Sequence, residues 1–289
     1  MTTTPSRAQV EDTAEPLTRE FTPGIHWLVH CLETDAFTGS TIHLHTSAWL
    51  VLGGDRTVLI DTSQPANWAR LQRQLDRLLA GRPLDFVMPS HPEIAHCGNV
   101  GRLMRRYPEA ILVGDTRDYH MYFPSEVAGR MRRFHPDDRL DLGGGYVLRF
   151  VDALIKDGVN TLWAYEESQQ VLFSIDSFGY AHLPPPPGED VDFMVHPPTD
   201  CGLLIGELDG PPNVEQAAFA TRAPLFWTRY VEFTPFLDEL MHVLERHPVR
   251  FVAPSHGNVV DDVDLILPIV AAAPRVAFRE VLDPNRTSS

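Results

Sequence analysis

Apolar residues recur at two periods along the chain, and the switch between them outlines the elements. From Gly24 the text runs IHWLVHCL, then TIHLHTSAWLVL, then, after a turn at Gly53-Gly54-Asp55, TVLIDT. Short apolar or alternating runs bounded by turn residues predict an antiparallel set with a hairpin. The spacing then changes. Trp68, Leu71, Leu75, Leu78 and Leu79 recur at helical intervals and Gly81 stands as a stop, predicting a helix from Asn67 to Gly81. DFVMPS reads as a buried strand, HPEIAHCGN as a loop, VGRLMRRY as a helix and AILVG as the next strand, which is a βαβ rhythm. Further on, DRLDLGGGYVLRFVDA predicts a second hairpin and VLFSIDSFG another strand. A last amphipathic helix begins near Thr234, with Pro235 in its first turn and Phe236, Leu237, Leu240, Val243 and Leu244 facing inward. It leads into PVRFVAPSHG, a strand ending in a histidine loop.

The ends are different. Residues 1–20 are polar and rich in Thr and Pro, and residues 276–289 close on RTSS, so both are read as tails around one domain at 21–275. Between His182 and Cys201 the run Pro184–Pro187 predicts an extended insertion across the surface. The order of strands, helix, strands, helix suits two similar halves packed face to face.

Charge narrows the partners. With 24 Lys+Arg against 39 Asp+Glu the net charge is −15, which repels nucleic acid and an anionic membrane surface. No stretch approaches the roughly 20 apolar residues of a membrane helix, and the N-terminus lacks the apolar region of a secretion signal. Cys31, Cys97 and Cys201 are odd in number and far apart in the sequence, which argues against a disulfide framework or a cysteine-based zinc ribbon. A reducing, cytoplasmic setting is the expectation. Lys156 is the only lysine.

Candidate chemistry sits where apolar strands end. His91, Glu93 and His96 in SHPEIAHCG can converge on one or two cations if a loop carries them, and Pro92 favours a loop. Asp176 in LFSIDSFG and His256 in APSHGN occupy similar places. An acid at the end of a strand rich in Leu, Phe and Ile is costly to bury without a partner, and a metal ion would be one. Each also has a simpler reading, Asp176 as a turn residue and His256 as a hydrogen-bonded loop histidine.

This ordered set resembles the metallo-β-lactamase superfamily, and within it the metal domain of flavodiiron proteins and their stand-alone oxygen-binding relatives. The likeness extends from about Gly24 to about Pro268 and implies an α/β fold, the αββα sandwich. Asp61 in TVLIDTS matches the family's structural aspartate. By resemblance, His91 and Glu93 hold the first metal, His256 the second, and Asp176 bridges them; Glu93 is the mark of the flavodiiron branch. Two positions depart from it. Ala95 stands where that branch has an aspartate, with His96 as a neighbour able to replace it. Asp157 stands where it has a histidine, either as an oxygen ligand favouring iron or manganese or as a turn residue in KDGVN. Lys156 either places a positive charge in the pocket, a catalytic role shared with Asp157, or is a solvated loop residue. Cys97 reads as packing. His43 and His45, on one strand face, either support the site from behind or are half exposed.

The implied cofactors are one or two metal ions, with iron first and zinc or manganese as alternatives, and no flavin within this chain. The favoured activity is metal-dependent hydrolysis of a small, aromatic or hydrophobic substrate, with metal-bound water as the attacking group. The alternative is diiron redox or oxygen-binding chemistry on oxygen or nitric oxide. A non-catalytic subunit of a hetero-oligomer is the third reading, and a homo-oligomer or hetero-oligomer with a related subunit is expected.

Overall fold

Strands with this alternation need cover on both faces, and two sheets provide it for each other. In the computed structural model, which describes residues 17–35, 41–182 and 200–278, the first sheet runs in the order β1 (Thr18–Thr22), β2 (Ile25–Leu28), β5 (Ala48–Leu52), β6 (Thr57–Ile60), β7 (Phe86–Met88), β8 (Ile111–Gly114) and β9 (Met131–Arg133). The second runs β10 (Arg139–Gly143), β11 (Tyr146–Asp152), β12 (Leu162–Glu166), β13 (Val171–Ile175) and β14 (Phe251–Pro254), while β3 (Cys31–Asp35) and β4 (Thr41–His45) form a separate ribbon. Both sheets begin antiparallel and end parallel, from β6 onwards in the first and at β13–β14 in the second.

Side-chain alternation sorts the layers. Trp49, Val51, Val58 and Ile60 join Phe150, Trp163 and Phe173 of the second sheet in one buried core. Leu50 and Leu59 turn to the other face, against Leu71 and Leu75 of helix α1 (Trp68–Leu79) and Leu103 of α3 (Val100–Arg106). Between those helices lies the short α2 (Ile94–Cys97), and α4 (Tyr119–Tyr122) follows. Strands β12 and β13 are buried throughout, and the core that contains them takes in Leu240 and Val243 of α6 (Thr234–Arg246) and Ile266 and Val270 of α7 (Val263–Ala277), with α5 (Val214–Thr221) before them. The architecture is the expected αββα sandwich. Each fully buried Leu, Phe or Trp contributes on the order of 1.5–3 kcal/mol, so the shared core is the main source of stability.

Several elements differ from expectation. Thr18–Thr22, whose first residues were expected in a tail, pairs with β2, because Phe21 sets its ring edge-on to Trp49 at 5.9 Å and to Phe251 at 5.4 Å. Helix α7 runs to Ala277, past the expected domain end at 275, and accommodates Pro268 and Pro274 because Ile266, Val270 and Ala273 are buried against the core. HPEIAHCGN, expected as a loop, contains a helical turn capped by Glu93, whose carboxylate accepts the Ala95 N–H at 2.9 Å. Helix α1 ends at Leu79, two residues before the anticipated glycine, with Ala80 itself left-handed at φ 48. The Pro184–Pro187 run lies outside the described residues. Among the described residues no helix is long and apolar enough to cross a membrane.

Candidate metal centre

Four strands end side by side in polar residues. β6 runs into Asp61, β7 into Ser90 and His91, β13 into Asp176, and β14 into Ser255 and His256. These are the strands paired in parallel, and the carboxyl ends of such strands are where α/β sheets place their binding sites. Ile175 and Asp61 turn out of their strands at φ 61 and φ 56. A β-branched residue such as Ile175 adopts that conformation only when the surroundings enforce it.

The turn at Ile175 buries the Asp176 carboxylate among histidines. His96 Nε2 lies 3.2 Å from Asp176 Oδ1, His256 Nε2 3.4 Å from the same oxygen, and His91 Nε2 3.6 Å from Asp176 Oδ2. Asp157 Oδ2 is 3.9 Å from His91 Nε2, and Glu93 Oε2 is 3.5 Å from His96 Nε2. Donor atoms around an ion at about 2.1 Å stand roughly 3.0–3.5 Å apart. Of the residues expected as ligands, His91, His96 and His256 gather around Asp176, Glu93 joins through His96, and Asp157 stands at the edge beside His91. His91 Nε2 and Asp176 Oδ2 are buried and lack a hydrogen-bond partner. Two such atoms facing each other would cost about 1–3 kcal/mol apiece if left so, and a cation between them satisfies both. The donor set fits a metal ion.

Residues behind the cluster aim it. Asp61, fully buried, accepts hydrogen bonds from His96 Nδ1 at 2.7 Å, Ser255 Oγ at 2.8 Å and the Ser90 N–H at 2.8 Å. With a metal ion bound, donation through Nδ1 would leave the Nε2 lone pair of a neutral His96 to face the ion, the usual way a protein orients a ligating imidazole. His256 is held in the same sense, its Nδ1 donating to the His45 carbonyl at 2.6 Å. The imidazole of His96 thus points into the cluster, 3.2 Å from Asp176 Oδ1.

Charge in the cluster is unequally shared. Burial opposes a charge on His96, yet Asp61 and Asp176 raise its pKa well above the ordinary value. Burial, together with the charge of His96, lowers His91 to about 4. Burial would raise Asp176, but His96 and His91 hold it well below the usual carboxylate range. Burial and then the charges of Asp176 and Glu93 push Asp157 up to about 6. Carboxylates crowded in this way favour a cation among them.

Other expected residues lie elsewhere. Lys156 Nζ pairs with Asp152 Oδ1 at 3.0 Å, while its carbonyl accepts the Trp227 indole N–H at 2.8 Å, so its ammonium is directed to Asp152 and not into the cluster. Cys97 is buried core, and burial pushes its thiol up to about 12. His43 and His45 are buried and not half exposed. Phe178 and Tyr180 are buried, whereas Phe226 and Tyr230 are exposed. The roles of Ser90 and Ser255 were missed; their only signal is a serine immediately before each strand-end histidine.

The sequence profile of the Metallo-beta-lactamase superfamily matches residues 42–213. The chain belongs to that superfamily. It is similar to an oxidase of reduced coenzyme F420 from Methanocaldococcus jannaschii, with 25% identity over 249 residues, covering 83% of this chain and 56% of the relative. This chain therefore spans little more than half that relative's length. Its fold is similar to the flavodiiron protein from Giardia intestinalis, at TM-score 0.66 and 15% identity over 90% of this chain and 59% of the other. It is likewise similar to rubredoxin oxygen:oxidoreductase from Desulfovibrio gigas, at TM-score 0.63 and 17% identity over 91% of this chain and 62% of the other. These relatives correct the expectation of hydrolysis, because what the superfamily member resembles along most of its length is an oxidase. Function follows the site and not the fold, so the sandwich by itself does not separate the two chemistries.

Proposed function

We propose that this superfamily member holds a two-iron centre and reduces oxygen or nitric oxide, with electrons delivered by a flavin-bearing or iron-bearing redox module. The observation that carries the reading is the buried, facing pair His91 Nε2 and Asp176 Oδ2, 3.6 Å apart and without hydrogen-bond partners, inside a mixed nitrogen and oxygen donor set. Imidazole with carboxylate suits iron, whereas a thiolate set would favour zinc. The oxidase relative supports the redox direction.

His91, Glu93 and Asp157 would hold one ion, His96 and His256 the other, with Asp176 between them. Bound iron supplies the reversible one-electron changes that oxygen or nitric oxide reduction requires. The chain's own residues do the rest. Asp61 and the His45 carbonyl keep the His96 and His256 rings in place, so the donors need not reorganise when an oxidant arrives. An apolar cavity of about 20 Å³, lined by Phe178, Ala217, Leu225, Phe233 and Val270, abuts Asp176. Its size suits a water-sized or diatomic molecule, and its walls suit a nonpolar gas.

Iron analysis of the purified protein, followed by anaerobic reduction and measured oxygen and nitric oxide consumption, tests the reading. Near two irons per chain and consumption of either gas are expected. His91→Ala, Asp176→Ala and His256→Ala should each lower bound iron and abolish consumption while the folded spectrum persists. Iron retained by all three variants would overturn the assignment, as would a loaded, reducible centre that consumes neither gas.

A further inference from the structure

Behind His256 lies a second group of metal-binding side chains that the proposed centre does not use. Register in the β3–β4 ribbon sets Cys31 opposite His45, with His43 two residues along the same face. A bridge between His43 and His182 brings in a third imidazole, and the turn Asp200–Gly202 supplies Cys201. Cys31 Sγ and Cys201 Sγ are 3.7 Å apart, and His43 Nδ1 and His182 Nδ1 are 3.4 Å apart. Donor atoms of Cys31, His45 and Cys201 lie within 4.8 Å of one another, as do those of His43, His45 and His182. His45 belongs to both sets.

We propose that Cys31, His45 and Cys201, completed by an imidazole of the His43–His182 pair, bind a single thiophilic metal ion of the zinc(II) or copper(I) kind. Thiolates at about 2.3 Å from a tetrahedral ion stand about 3.8 Å from each other. The observed sulfur separation of 3.7 Å is that edge, and it is far longer than a disulfide bond of about 2.05 Å. His45 is already oriented as a ligand. Its Nδ1 donates to the Gly257 carbonyl at 2.8 Å, which leaves the lone pair of the neutral ring on Nε2. His43, His45 and Cys201 are buried, which protects the group from competing water. Two thiolates distinguish this group from the nitrogen and oxygen set around Asp176, so the two places select different ions.

The second place also adjoins the first. The His45 carbonyl accepts from His256 Nδ1 while the His45 ring donates to Gly257. An ion on His45 would therefore stiffen the support of a proposed iron ligand.

The test uses the full chain, stripped by chelator under reducing anaerobic conditions and titrated in separate samples with zinc or with cobalt(II). Wild type should bind one more zinc than the Cys31→Ser, Cys201→Ser double variant, and either single variant should hold that zinc with lower affinity than wild type. Cobalt should give a thiolate-to-metal charge-transfer band that the double variant lacks. His91→Ala should keep that band while losing metal from the other centre, so the two assignments fail separately. Zinc should also shield Cys31 and Cys201 of wild type from alkylation, a readout independent of whether the variants fold. Equal zinc stoichiometry in wild type and double variant, no charge-transfer band, or unshielded thiols would overturn the proposal. So would a Cys31–Cys201 disulfide in the reduced, zinc-treated protein.

Discussion

Asp61→Asn tests whether the residue behind His96 sets its tautomer. In the native cluster Asp61 Oδ1 accepts the Ser90 N–H at 2.8 Å, while Oδ2 accepts from His96 Nδ1 at 2.7 Å and Ser255 Oγ at 2.8 Å. Asparagine keeps one acceptor oxygen, for Ser90, and turns an amide N–H₂ towards the other two. Ser255 can rotate its hydroxyl to accept. His96 can accept through Nδ1 only by carrying its proton on Nε2, which then points at Asp176 in place of a lone pair. Losing such an outer hydrogen-bond partner costs about 10–100-fold in metal affinity, or about 1.4–2.7 kcal/mol. The fold should lose less, about 1 kcal/mol, because one charge-assisted hydrogen bond becomes neutral while a buried charge is removed. Asparagine also tolerates the φ of 56 at this position. Alanine does not share these advantages. Asp61→Ala leaves three donors unpaired at about 1–3 kcal/mol each and adds left-handed strain of about 1–2 kcal/mol, so it should unfold near ambient temperature. Competitive chelator titration beside thermal melting separates the effects. Wild-type metal affinity in a folded Asp61→Asn protein would refute the tautomer argument.

Acid should weaken the fold through His30, which is buried, hydrogen-bonded to Gln74 at 2.7 Å and lowered from 6.5 to about 4, chiefly by burial. The unfolded chain takes up this proton first, so stability is full above about pH 6.5 and falls by about 3 kcal/mol as pH drops through 4. Urea titrations at pH 7 and pH 4.5 should show the loss in wild type and a smaller one in His30→Gln. Trp49→Ala should cost about 3–5 kcal/mol by calorimetry, since its ring is fully buried beside Trp27 at 5.8 Å and Phe173 of the opposite sheet at 6.0 Å. Gly257→Ala would set a Cβ at φ 100 and 2.7 Å from the Tyr180 ring. It should lower both the melting temperature and bound metal, and unchanged metal content would show that His256 does not depend on this close packing.

Much of the plan was legible because periodicity is local. Helix α1, the β10–β11 hairpin and the strands ending at His91, Asp176 and His256 each follow from spacing within about ten residues. β1 and α7 did not, since one lies in polar text with a single well-placed Phe21 and the other contains two prolines. Both are held by contacts with distant parts of the chain. The same limit applies to the site. Residue types at strand ends indicated a metal centre, but they could not show that Asp61 aims His96 or that Lys156 turns to Asp152.

By itself the sequence determined the order of strands and helices and the strand-end positions of the donors, because hydrophobic alternation and turn residues act over a few neighbours, while the sandwich was implied by family resemblance. Only the tertiary structure decided which donors meet. Cys31 and Cys201, 170 positions apart and separate in any reading of spacing, lie with their sulfurs 3.7 Å apart because the β3–β4 ribbon and the Asp200–Gly202 turn fold to the same place. Pairing at that range is set by how the layers pack, and packing is a property of the whole chain.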